Sequence, residues 1–186
     1  MSLARKLGCM IPEAKLVETG QGLVPEGEGW FVLNARHARW GVRGDVFGRA
    51  ARFEGDADFP DIGVNIRVLE PGQPNSHYHG EGHQEAILVL SGKCLLLVEE
   101  EERRLGAWDF VHLPPWADHV LVGAGDAPCV AVLVGGRFDP DRVRYPVSDL
   151  ALQHGAGVAR ETDSPEESYA ATPPRTPRRY LEGDLP

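Results

Sequence analysis

Apolar and polar positions alternate most clearly from Val64. Val64, Ile66 and Val68 fall on one face of an extended segment and Asn65, Arg67 and Leu69 on the other, until Pro71 and Gly72 end it. Short apolar runs then recur at residues 86–90, 94–98, 110–113, 119–122 and 129–134, separated by Ser91-Gly92, an acidic run at 99–102, Pro114-Pro115, Pro128 and Gly135-Gly136. Upstream, residues 30–33 and 48–53 are further strand candidates. Strands this short and closely spaced predict an all-β barrel or sandwich. The acidic run reads as a solvated loop tip between two strands.

The flanks differ in character. Residues 1–29 lack periodicity and read as an N-terminal arm that ends in a Gly-rich acidic loop, which leaves 30–136 for the barrel. Residues 137–186 form a C-terminal arm: 148–154 reads as a short helix stopped at Gly155, and Ser164-Pro-Glu-Glu167 has capping-box spacing with Pro at the first helical position. Beyond Thr172 the tail is rich in Pro, Arg and Gly and is expected to lie extended over the barrel or over a neighbouring subunit.

Composition narrows the function classes. At 186 residues the chain suits one domain, and 22 glycines with 15 prolines fit a turn-rich fold. With 28 acidic against 19 basic residues the net charge is -9, which repels nucleic acid and anionic membrane. No apolar run is long enough to span a bilayer or to serve as a signal peptide, and Cys9, Cys94 and Cys129 have no disulfide or zinc-site spacing, so a reducing cytoplasm is expected. Nucleophile-elbow, Walker and dinucleotide signatures are missing.

The chemistry gathers around four residues. His77 and His79 are two apart, so on an extended segment both imidazoles project from one face. Glu85 opens the next strand, and a hairpin can bring its carboxylate beside them; His119 follows the Pro-Pro turn. Three imidazoles and a carboxylate make a mixed N/O site for iron, manganese, nickel, cobalt or zinc. His83, two residues before Glu85, is a substitute or additional ligand. Tyr78, Trp108 and Trp116 are candidate pocket walls, and Arg67 offers a fixed positive charge for an acidic substrate.

The pattern resembles the cupin superfamily. Gly72, His77, His79, Glu85 and Gly92 follow its first motif and Pro114 and His119 its second, with surrounding text similar to uncharacterised single-domain bacterial cupins. The resemblance implies a double-stranded β-helix, a jelly-roll-like barrel binding one divalent metal ion on His77, His79, Glu85 and His119. The loop between His79 and Glu85 is longer than the family motif usually has. Trp108 and Trp116 stand where the second motif usually has glycine, and Gly123 where it usually has asparagine. Two functions follow as expectations: a metal-dependent enzyme, either an oxygenase or an isomerase or lyase, acting on a small polar or acidic molecule; or a non-catalytic small-molecule binder or sensor. Unpaired barrel edges and two Pro-rich arms predict a homodimer.

Overall fold

The computed structural model describes residues 10–55, 59–137 and 142–185. The first nine residues of the N-terminal arm, Cys9 among them, lie outside that description, as do residues 138–141 of the C-terminal arm. The strands are β1 (Lys15–Glu18), β2 (Leu23–Glu26), β3 (Arg39–Arg43), β4 (Phe47–Arg52), β5 (Ile62–Leu69), β6 (Gly80–Glu81), β7 (Glu85–Ser91), β8 (Lys93–Val98), β9 (Glu101–Gly106), β10 (Phe110–Leu113), β11 (His119–Ala124), β12 (Cys129–Gly136), β13 (Val143–Arg144) and β14 (Thr176–Arg178); the helices are α1 (Asp149–Gln153) and α2 (Pro165–Ser168).

A large antiparallel sheet in the order β10-β7-β12-β5-β4-β3-β14 faces a smaller sheet, β11-β8-β9, which isolated bridges at Pro74–Val122 and His79–His119 extend toward β6 and β13. The two sheets share one core: Leu69, Ile87, Val89, Leu113 and Ala131 from the first meet Cys94, Leu96 and Leu121 from the second. This is the double-stranded β-helix that the resemblance implies. Cys94 and Cys129 meet inside this core, where the Cys94 thiol donates toward Cys129 and stays protonated.

The outer faces are covered in part by the C-terminal arm. Trp40, Ala51, Val68 and Val130 turn outward from the large sheet and are buried under Ala35, Tyr180 and Leu185. On the small sheet, Leu97, Val120 and Val122 pack beneath Tyr78, Ala151 and Ala156. The tail thus continues the protein's own sheet, β14 pairing with β3 and pinned where Asp184 accepts from Arg178 at 2.6 and 2.7 Å and lies 2.8 Å from Arg49.

Several boundaries differ from expectation. Residues 30–33 are not a strand; Trp30 makes only an isolated bridge with Glu13, and β1 and β2 form a hairpin before it. The acidic tip is confined to Glu99 and Glu100, both at positive φ, while Glu101 and Glu102 already belong to β9. Polar, exposed β9 carries no apolar alternation, which is why the sequence hides it. Both short helices form: Ser148 Oγ accepts from Ala151 N–H and Ser164 Oγ from Glu167 N–H, although the Glu167 carboxylate bonds Thr162 and Arg160 rather than closing the capping box.

Candidate metal centre

The barrel interior changes from apolar to polar along each strand toward its mouth. On β11 the inward positions run from Leu121 to His119, on β7 from Val89 and Ile87 to Glu85, and on β5 from Leu69 to Arg67 and Asn65. Period-two alternation therefore puts core residues and site residues on the same faces, separated only by depth. The mouth opens as a cavity of about 420 Å³ that also takes Glu81, Tyr145 and Tyr169 into its wall.

His79 and His119 are cross-strand neighbours. Each backbone N–H donates to the other's carbonyl, at 3.1 and 2.8 Å, which sets the two rings 4.9 Å apart. Nδ1 of His79 lies 2.7 Å from the His77 carbonyl and Nδ1 of His119 lies 3.0 Å from the Ala117 carbonyl. A carbonyl only accepts, so each ring carries a proton on Nδ1 and aims Nε2 into the cavity. There His119 Nε2 is 3.4 Å from Glu85 Oε2 and His79 Nε2 is 3.6 Å from Glu81 Oε1. Donor atoms of His79, Glu85 and His119 all lie within 4.8 Å of one another. Neighbouring ligands of an ion bound at roughly 2.1 Å stand about 3 Å apart, so this donor set fits a divalent transition metal after small adjustment. Backbone acceptors on both Nδ1 atoms are the orienting contacts such a ligand needs.

Electrostatics agree with a site built for a cation. Burial pushes the Glu85 carboxyl up to about 7, and the neighbouring Glu81 charge adds to it. His119 is pushed down to about 4 by burial and then by His79. Burial also opposes charge on His79, but Glu81 and Glu85 outweigh it and hold its pKa above the ordinary value; in return His79 holds Glu81 below the usual carboxylate range despite burial.

His77 stands apart from this group. Residues 75–78 form bends rather than a strand, so the two-residue spacing of His77 and His79 does not put them on one face. The His77 ring stacks on Tyr169 at 4.6 Å, and its Nδ1 lies 2.8 Å from Ser168 Oγ. His83 lines the same cavity on the loop before β7, outside the group of three. Arg67 does line the cavity, but the three aromatic candidates do not. Tyr78 is buried behind the small sheet, its hydroxyl accepting from Glu100 N–H at 3.3 Å; Trp108 is 75% exposed on a turn; and Trp116 packs under Arg142 and Arg144. Trp108 and Trp116 keep the positive φ, 75° and 70°, that glycine serves at those motif positions. His112 pairs with Ala86 and so faces away from Glu85.

Sequence reasoning missed Glu81, Tyr145 and Tyr169. Glu81 carries a legible signal, since it lies two residues after His79 where the chain is extended through β6. The tyrosines come from the C-terminal arm and reach the mouth only through tertiary packing.

Residues 65–135 match the family model described as the cupin domain. A search of curated proteins gives no significant match. Among solved structures, the chain is similar to a proposed sugar phosphate isomerase from Acidithiobacillus ferrooxidans, with 30% identity over 45% of this chain and 54% of that one and a TM-score of 0.41. It therefore spans about half the length of that relative. A sugar phosphate isomerase of the cupin superfamily from Silicibacter pomeroyi has 28% identity over 52% and 69% of the two chains, TM-score 0.45. A cupin 2 domain-containing protein from Halorhodospira halophila has 19% identity over 61% and 79%, TM-score 0.48. The motif residues His79, Glu85 and His119 gather at the barrel mouth, and residues 65–135, from β5 to β12, are the part of this chain that matches the cupin domain.

Proposed function

We propose that the protein is a metal-dependent enzyme of the isomerase or lyase type, acting on a small polar or acidic molecule. The observation that carries this reading is the pairing of a three-donor group, His79, Glu85 and His119, with a second half-buried carboxylate, Glu81, on the wall of one cavity. In this reading His79, Glu85 and His119 hold one divalent ion, with His83 near enough in the wall to add to the set. The ion supplies Lewis-acid polarisation of a substrate oxygen. Glu81, ionised and 3.6 Å from His79 Nε2, accepts a proton from the carbon beside that oxygen and returns it. Tyr145 and Tyr169 limit water at the mouth.

The barrel at 30–136 is then the catalytic unit, flanked by the arms at 1–29 and 137–186. No described helix is long and apolar enough to cross a membrane. The thiols of Cys94 and Cys129 support a reducing compartment, the cytoplasm, and the open edge of β10 with exposed Phe110 and Trp108 supports a homodimer.

Metal analysis and a cobalt-substituted sample test the proposal. About one ion per chain is expected, with a visible spectrum perturbed by 2-hydroxy or 2-oxo acids and solvent deuterium entering the substrate carbon in a Glu81-dependent way. Failure to load metal overturns the reading. Oxygen consumption without deuterium exchange would assign an oxygenase instead, and tight binding without turnover a sensor.

A further inference from the structure

In a chain of net charge -9, Arg43, Arg67 and Arg175 converge beside the cavity, with exposed Arg52 near enough to repel Arg67 and Arg175, and none of the four has a carboxylate within ion-pairing distance among the described residues. Arg67 is central. It points inward from β5, and its cross-strand neighbours in the same row are small: Ala50 on β4, Ala131 on β12, and Gly41 on β3 one strand further. That row leaves room above the sheet for long side chains. Arg175, from the segment leading into β14, uses it: a Cβ at Gly41 would sit 3.4 Å from the Arg175 Cδ.

Within the described residues the Arg67 guanidinium makes one hydrogen bond, Nε–H to Asn65 Oδ1 at 3.0 Å. Its remaining donors have no protein acceptor, and Arg175 and Arg52 repel its charge. Burial, reinforced by that repulsion, lowers its pKa to about 10, and no carboxylate among the described residues offsets this. Arg43 stacks over Tyr169 at 4.5 Å and bonds Thr172 Oγ1 and the Pro173 carbonyl, leaving its charge uncompensated as well. Arg43, Arg67, Arg175 and Tyr169 line a side pocket of about 30 Å³ that shares Arg67, Asn75, Ser76 and Tyr169 with the main cavity.

We propose that Arg67 and Arg175, with Arg43 beside them, form an anion subsite that binds the phosphate or carboxylate end of the substrate while its body extends toward His79, Glu85 and His119. This rests on the cavity being the functional site and adds its substrate class. It also makes the C-terminal segment part of the site, because Arg175 closes the subsite from the tail. Planar guanidinium forks suit both oxyanions, and the counter-charge missing among the described residues is what the ligand contributes.

The test uses full-length protein with inorganic phosphate and acetate as probes, by isothermal titration and thermal shift against sodium chloride at matched ionic strength, in metal-free and cobalt-loaded samples. One site per chain is expected, with R67Q and R175Q each weakening binding by roughly 10- to 100-fold. R67Q should be at least as thermally stable as wild type without anion. The preferred probe distinguishes a phosphate-bearing from a carboxylate-bearing substrate. Binding no stronger than chloride, or unchanged in both variants, overturns the subsite even where cobalt loads normally. Cobalt that fails to load beside Arg67-dependent anion binding overturns the metal reading and leaves the subsite standing.

Discussion

Glu85 is the ligand whose protonation is most open to measurement. Its carboxyl titrates near 7 in the metal-free protein because burial, and then the Glu81 charge, disfavour the ionised form. Only the ionised form binds a cation, so affinity is full above that value and is lost as pH falls through it. With a single proton at a pKa of about 7, the competition factor rises roughly 25-fold between pH 7.5 and 5.5, approaching tenfold per pH unit. His79, also held above its ordinary pKa, steepens the loss, whereas His119, near 4, contributes none in this window. In Glu85→Gln the anionic donor disappears: cobalt affinity at pH 7.5 should fall by about 100-fold or more, and the pH dependence should lose roughly one proton. Competition of cobalt with a chromophoric chelator at fixed ionic strength, from pH 5.5 to 8, measures both. Wild-type affinity flat across that range, or a variant that keeps wild-type affinity, would refute the assignment of Glu85 as a ligand with a displaced proton.

Three further outcomes follow from the structure. His77→Gln should leave metal stoichiometry unchanged, because the His77 ring packs on Tyr169 rather than in the donor group; since burial holds its folded pKa near 4, below the unfolded value, wild type should lose stability as pH falls from about 6.5 toward 4 and the variant less so, as urea titrations at several pH values would report. Trp108→Gly should raise stability by about 0.5–1 kcal/mol in chemical denaturation, since an exposed side chain at φ 75° gives up little packing when the strain is removed. Asp184→Ala should cost about 2–4 kcal/mol and red-shift the fluorescence of Trp40, because it leaves Arg49 and Arg178 without their shared carboxylate and frees the tail that covers the indole.

The sequence by itself determined the barrel and most of its site. Alternation at β5 and the apolar runs that became β7, β8, β10, β11 and β12 depend only on near neighbours along the chain, because side-chain direction in a strand has period two. His79, Glu85 and His119 were legible for the same reason: each lies on or beside a strand whose facing is fixed by its core residues. His77 shows where that reasoning stops. Its spacing from His79 is right, but parity holds only in extended chain, and the bends at 75–78 turn it away from the donor group and onto Tyr169. Tertiary structure alone decided that Tyr145, Tyr169 and Arg175 join the mouth, that the tail covers Trp40, and that Arg67 has Arg175 rather than a carboxylate beside it. Those relations join residues more than a hundred positions apart through packing of a segment with little periodicity of its own, and no local pattern in the chain encodes such contacts.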